Sequence, residues 1–434
     1  QIHLNTGELP LPQDAEGQTH ADAPLNGFDL NGNGAVDVDD YANDPRVGRA
    51  FNSCGGAVTG KDLLNAFGNC QISNHQLGAC GGSYDNDGNG YANDIVGWNF
   101  FDDNNDPTDR SSYFAAANHG SGRASDAVES GTGGNDIGVC PHCQFVPLRV
   151  WDTFVSDGNT FGLAMMYAAD NRVSVIEGAD GGLYHSAFAE AASQYAYSKG
   201  LVQTYSGDDL NTGNHNYPAN YNHTMLIQGT VPDSVGLGLN NAQFQQAQSF
   251  ICGTLLAKLP PVQGVCIGSN VPVGTYFRGA NTTQYGGHSS IAMEGPTGSV
   301  NTGKASGAAG LVVSAGLDFG TQPPLSADET REILEQTAED VTALNTLGIG
   351  LPDAAQPGWD VHFGYGRANL GDAVQAVKDG NIPPEAAINT PDWFAPVTGA
   401  AVEITGLARA RRASGGAFHY KLEWGAGLAP TSWT

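Results

Sequence analysis

Histidine 119 lies in the stretch ANHGSGRASDAVES (117–130), beside a glycine and just ahead of a small-residue run able to open a helix. An imidazole there has the chemistry of a general base, which takes a proton from a nucleophile and returns it to a leaving group. The same stretch also fits a polar turn. Ser299 stands at the entry of a second small-residue run, SVNTGKASGAAGLVVSAG (299–316). Its hydroxyl is either a nucleophile in need of a base or an ordinary helix N-cap.

Two acidic loops carry a different chemistry. DLNGNGAVDVDD (29–40) fits the calcium-loop template D-x-[DN]-x-[DN]-G-x5-acid, with Asp29, Asn31, Asn33, Gly34 and Asp40 in register. Hard cations want several oxygens around a tight bend, and this spacing supplies them. Asp40 stands where glutamate is usual, and its shorter arm weakens bidentate contact. DNDGNGYAND (85–94) has a similar head: Asp85, Asp87, Asn89, the Tyr91 carbonyl and Asp94. DDNNDPTD (102–109) is a third oxygen cluster. All three also read as plain polar loops. Ca2+ as a structural ion is the expectation.

The bulk numbers narrow the rest. With 45 Asp and Glu against 18 Lys and Arg, the formal charge is −27, and such a field repels nucleic acid. Charged residues are only 15% and glycines number 60, so this is no disordered acidic tail. No apolar run is long enough to cross a membrane. The seven cysteines (54, 70, 80, 140, 143, 252, 266) suggest an oxidising, extracellular compartment, with pairing left open. A clip between Cys252 and Cys266 is one option, and one of Cys54, Cys70 and Cys80 could stay unpaired. Cys140-Pro-His-Cys143 precedes a strand-like run, whereas a redox C-x-x-C needs a following helix, so a local disulfide fits better. His142, His185, His215, His223, His288 and His362 are expected to be structural or exposed.

These residues need a scaffold, and the middle of the chain spells one. QFVPLRVW (144–151), VSVIEGAD (173–180), LVQTYSGD (201–208) and HTMLIQGTV (223–231) have strand texture. TFGLAMMYAADN (160–171) and SAFAEAASQYAYSKG (186–200) have helical spacing, the second ending in Lys-Gly. Alternation of this kind implies an α/β fold with a central parallel sheet and helices on both faces. SADETREILEQTAEDV (326–341) predicts an amphipathic helix, with Ser326 as N-cap and Glu329 completing a capping box. FGYGRANLGDAVQAV (363–377) predicts a turn feeding another helix. After NIPPEAAINTP (381–391) the pattern alternates as in strands. The expected organisation is a loop-rich part at 1–110, a core at 111–380, a linker at 381–391 and a truncated β-sandwich-like domain at 392–434.

The order of these pieces resembles the subtilisin-like serine proteases, the subtilase family. HGSGRASDA stands where that family has H-G-T-H-x-x-G. GVCPHCQFVPLRVWD (138–152), YAADNRVSVIEGADGG (167–182), YAYSKGLVQTYSGD, NYPANYNHTMLIQGTV (216–231) and TGSVNTGKASGAAGLVVSAG (297–316) are similar to its successive strand and helix motifs. DNDGNGYANDIVGWNFFDDNNDP is close to the acidic lead-in of its calcium-binding members. The likeness covers roughly residues 85–380.

The resemblance implies a three-layer subtilisin-like fold and acyl transfer. Ser299 would attack the scissile carbonyl, and His119 would take its proton and pass it to the leaving amine. Ala179, Asp180 and Gly181 would edge the substrate cleft, pairing with peptide through main-chain bonds. The family's oxyanion asparagine falls at Asp208, where an ionised carboxylate repels the developing charge and only a protonated one donates. The family's D-[ST]-G aspartate has no match in residues 1–118 and is expected upstream of Gln1, so this chain alone should be very weak. The expected protein is a secreted serine endopeptidase acting on polypeptides, with surface attachment through the C-terminal β-domain as a further expectation. The alternative is a catalytically impaired relative, a calcium-stabilised peptide- or surface-binding module.

Overall fold

The computed structural model describes residues 2–48, 56–110, 118–131, 136–152, 157–207, 212–231, 278–279, 283–295, 297–341, 355–392, 395–413, 417–427, 430 and 432–434. Asp208, Cys54, Cys252 and Cys266 lie outside these residues. The chain forms two compact units: Gln1–Ala124 with Val128–Ile137 and Pro141–Ala164, and Ser125–Ala127 with Gly138–Cys140 and Met165–Thr434.

In the first unit, α1 (Gly60–Phe67) starts at Thr59, whose side chain and that of Asp62 satisfy each other's backbone N–H groups. β1 (Cys70–Ser73) and β2 (Gln76–Cys80) form a hairpin closed by the Cys70–Cys80 disulfide. The core is small: Leu4, Leu9, Phe28, Tyr41, Leu63, Phe67 and Ile95 are buried together. β3 (Trp98–Asn99) pairs in parallel with a strand that the sequence predicts to be longer. α2 (His119–Val128) comes next in the chain, followed by that strand, β4 (Leu148–Arg149). Pro147 explains its shortness, since proline has no N–H to give a ladder.

α3 (Gly158–Asp170), β5 (Val175–Gly178), α4 (Ala187–Ser198), β6 (Val202–Ser206) and β7 (Met225–Val231) follow the predicted alternation. Ser186 caps α4 by accepting from the Ala189 N–H. β8 (Arg278–Gly279) pairs antiparallel with β7, and β9 (Ser289–Glu294) pairs with it in parallel, so the sheet runs β5-β6-β7 with both on the far side. Every residue of β6 is buried, as expected of a parallel strand covered on both faces.

α5 (Gly298–Asp318) packs along β5, β6, β7 and β9. Its small residues decide how close it comes. A Cβ on Gly307 would lie 2.7 Å from the Ala127 carbonyl oxygen and 2.8 Å from Val139 Cβ, so only glycine fits. Around α5 the core joins Val202, Ile227, Ile291, Ala305, Ala308, Ala309 and Val312 to Ile333 and Leu334 of α6 (Ala327–Gln336) and to Val377 of α7 (Leu370–Lys378). The Ser326/Glu329 capping box forms as predicted. The helix stops five residues short of 341 because Glu339 instead exchanges both main-chain hydrogen bonds with Arg367.

β10 (Glu385–Thr390) and β11 (Thr405–Arg409) make an antiparallel hairpin, so strand structure begins inside the segment read as a linker. Two arginines just past the hairpin bind it to α6, and a third acts within the hairpin. Arg409 pairs with Glu385, while Arg411 and Arg412 donate to Glu329 at 2.8–2.9 Å. Both carboxylates are almost fully buried. Among the described residues, no helix is long and apolar enough to cross a membrane.

Candidate active site

Ser299 is the second residue of α5. The cap is Thr297, whose hydroxyl accepts from the Val300 N–H, so Ser299 is not the helix cap. Its own Oγ donates to the Ala179 carbonyl oxygen at 2.9 Å. The hydroxyl is buried at the positive end of a 21-residue helix, a setting that favours developing negative charge. Despite Gly303 and Lys304, the helix runs unbroken, and Lys304 is held by the Glu294 carboxylate and main-chain oxygen.

Ala179 directly follows β5, so the predicted cleft segment 179–181 and the hydroxyl of residue 299 do meet. The segment continues into Gly182, which exchanges two main-chain hydrogen bonds with Tyr217, of 2.9 and 2.8 Å. Gly181 has no Cβ, and one built there would strike the Asn216 carboxamide at 2.3 Å. Asn216 is fully buried and donates from Nδ2 to the Ser206 carbonyl oxygen at 2.8 Å. Asn216 opens the 216–231 motif, but what it touches appears only when the ends of β5 and β6 are side by side.

In the first unit, His119 opens α2. Burial and then the nearby Arg123 guanidinium push its imidazole down to about 4, against the opposing pull of Asp109. Asp109 Oδ2 accepts from the Ser121 N–H at 2.7 Å, fixing the first turn of the helix. Asp109 is thus a carboxylate acting on the imidazole that sequence reasoning had placed only in an oxygen cluster.

The acidic loops differ. Around Asp29 each oxygen serves the turn: Oδ1 accepts from the Asn33 N–H and Oδ2 from the Gly34 N–H. Asn31 and Asn33 accept from the N–H groups of Asn33 and Ala35. Buried Asp40 accepts from the Asn31 and Asp37 N–H groups. Around Asp85 the same turn forms, through the N–H groups of Gly88, Asn89 and Gly90, while Asn89 Oδ1 accepts from Tyr91. Here, however, Glu8 arrives from far away in the chain. Carboxylate oxygens of Glu8, Asp87 and Asp94 lie within 4.8 Å of one another, the one such metal-competent group among the described residues. Asn5 Nδ2 sits between Asp87 and Asp94, donating to both, at 2.9 and 2.8 Å. Burial raises Glu8 to about 7 despite hydrogen bonds from Asn86. Three converging hard oxygens suit Ca2+. Neither Asn5 nor Glu8 was in the predicted ligand set. Two carboxylates of the third cluster pair with cations from elsewhere in the first unit: Asp102 meets Arg149 at 2.5 Å and Asp106 meets Lys61 at 2.6 Å. Burial opposes ionisation of Asp106, but Lys61 and Thr108 hold it at about 2.

Cys140 and Cys143 are both in disulfides. His142 is exposed, and His223 stacks on Tyr197 at 3.7 Å. Asp208, the expected oxyanion residue, falls outside the described residues.

The family model of the subtilases matches residues 82–366, about two-thirds of the sequence. The chain belongs to the subtilase family. Subtilases are serine peptidases that act on polypeptides, and the parallel sheet with its helices is their α/β architecture. Among curated relatives, thermitase of Thermoactinomyces vulgaris is 25% identical over 259 residues, covering 58% of this chain and 76% of thermitase. The cell wall-associated protease of Bacillus subtilis (strain 168) is 29% identical over 265 residues, 58% of this chain and only 25% of that protein. Among solved structures, the prenylagaramide maturation protease PagA aligns with a TM-score of 0.42 at 14% identity, over 62% of this chain and 84% of that one. Fervidolysin from Fervidobacterium pennivorans aligns at 0.39 and 19% identity, over 64% and 39%. The family assignment rests on the sequence match.

Proposed function

We propose that the protein is a secreted serine endopeptidase in which Ser299 is the nucleophile and His119 its general base. The observation that carries this reading is the state of the Ser299 hydroxyl: relieved of capping by Thr297, at a helix N-terminus, and bonded to Ala179 in the segment expected to hold peptide. Ser299 Oγ attacks the scissile carbonyl as its proton passes to His119. That proton then goes to the leaving amine, and water resolves the acyl-enzyme. The orienting carboxylate of such a triad has no D-[ST]-G match in residues 1–118. Because its loss costs about 10⁴ in rate, weak turnover is expected of this chain alone. Ca2+ would be held by Glu8, Asp87 and Asp94, with the Asp29–Asp40 loop as a second site, and would act by tying loops together. Disulfides and the acidic surface support secretion.

Asp208 favours a second reading, a catalytically impaired subtilase that binds peptide or a surface, since an ionised carboxylate cannot donate to an oxyanion. A fluorophosphonate probe separates the two. Labelling of Ser299 that disappears in His119→Ala supports the enzyme; an unlabelled parent chain supports the binding module.

A further inference from the structure

In the first unit, a cavity of about 510 Å³ carries two imidazoles in its wall, those of His3 and His142. Both residues are exposed, and each is held at its backbone. The His3 main-chain N–H donates to the Phe145 carbonyl oxygen at 2.9 Å, which lays the segment around His3 beside Phe145. His142 stands between Cys140 and Cys143, both in disulfides.

The state of the His3 ring is set by a relay. Gln144 Nε2 donates to the Val36 carbonyl oxygen at 2.8 Å, which fixes which end of the carboxamide is the oxygen. Gln144 Oε1 lies 3.3 Å from His3 Nδ1 and can only accept, so Nδ1 carries the proton. A neutral imidazole that donates from Nδ1 has its lone pair on Nε2. Proteins orient metal-binding histidines in this way, with one nitrogen hydrogen-bonded and the other left to ligate. The rest of the wall decides which ion fits. Leu4, Leu25 and Val36 line it and no described carboxylate does, so it offers little to a hard cation such as Ca2+. Imidazole nitrogens suit a borderline transition metal. An anion is disfavoured, because the His3 Nε2 lone pair would repel it.

We propose that His3 and His142 form a zinc site, in which the two imidazoles chelate one Zn2+ and water completes its shell. The metal would tie the segment around His3 to the loop that carries His142. Asn5, two residues beyond His3, donates to Asp87 and Asp94, so one short segment would serve two chemically distinct ions. The site is independent of the proposed peptidase chemistry.

The test titrates Zn2+ alone into the full chain by calorimetry, in saturating Ca2+ and with free thiols alkylated. One zinc site is expected. His3→Ala and His142→Ala should each weaken it by about 100-fold, and Gln144→Leu, which removes only the relay, by about 10-fold. Affinity should fall as pH is lowered from 7.5 to 5.5, because both rings must be neutral to ligate. A measurement on the parent chain needs no variant to fold: Zn2+ should slow modification of His3 and His142 by diethyl pyrocarbonate together, read by mass spectrometry. No zinc binding, binding that survives loss of either ring, or protection of only one ring overturns the inference.

Discussion

The two units are held together by different physics. The first has a modest apolar core and a large framework of Asp and Asn side chains bonded to backbone N–H groups, as around Asp29 and Asp85. The second is built on close packing, with α5 pressed against a largely buried sheet through alanine and glycine. Polar frameworks of the first kind gain from a cation and lose when it is removed. Packed frameworks of the second kind are indifferent to ions and intolerant of volume.

The sharpest way to break that contrast is to add volume. Gly307→Val should destabilise the second unit by about 3 kcal/mol, because backbone lies where the side chain must go. Calorimetry should show a lowered transition with unchanged sensitivity to EDTA. Next in size is the cation. Saturating Ca2+, at 100 times its Kd, should stabilise the first unit by about 2.7 kcal/mol relative to EDTA. Glu8→Gln should remove most of that gain and Asp40→Asn less, since only Glu8 belongs to the converging trio. An equal loss in both variants would erase the difference between the two loops. Thr297→Ala should cost about 1 kcal/mol by uncapping α5. It should slow fluorophosphonate labelling of Ser299 as well.

A separate effect expected on folding is a pH dependence. The folded His119 imidazole sits at about 4, below its ordinary 6.5, so protonation favours the unfolded chain. Its contribution to stability is complete above 6.5 and is lost as pH falls through 4. As a base it stays neutral over the same range, so Ser299 labelling should hold down to about pH 4. A labelling limb near 6.5 would contradict the burial assigned to this side chain.

Local signals were legible wherever the physics was local. Ser186 and Ser326 cap their helices, and the alternation from 160 to 231 became α3 through β7, because periodicity and capping are properties of neighbours. The parallel sheet and the family followed from that series, whereas the order of the strands did not. What escaped notice depended on remote partners. Glu8 reaches the Asp85 loop across more than seventy residues and carries no motif. Asn216 is one asparagine among many until Gly181 and Ser206 converge on it. The run at 144–151 shrank to β4 because one proline outweighed an apolar pattern, and the stretch at 381–391 hid β10 because its prolines spoke for a linker. The resemblance placed Ser299 and Ala179 at one cleft, but the hydrogen bond between them was not in the sequence reading.

The arginine contacts at the end of β11 bear on how this protein can be shortened. Arg409, Arg411 and Arg412, three of only 18 cationic side chains, neutralise Glu385 and Glu329. A chain trimmed between Thr390 and Thr405 would keep both anions, sealed from solvent, and discard every one of those counter-ions. Trimming there would not isolate a tidy catalytic piece; it would strand charge at the foot of α6 unless glutamine replaced both glutamates in the same gene.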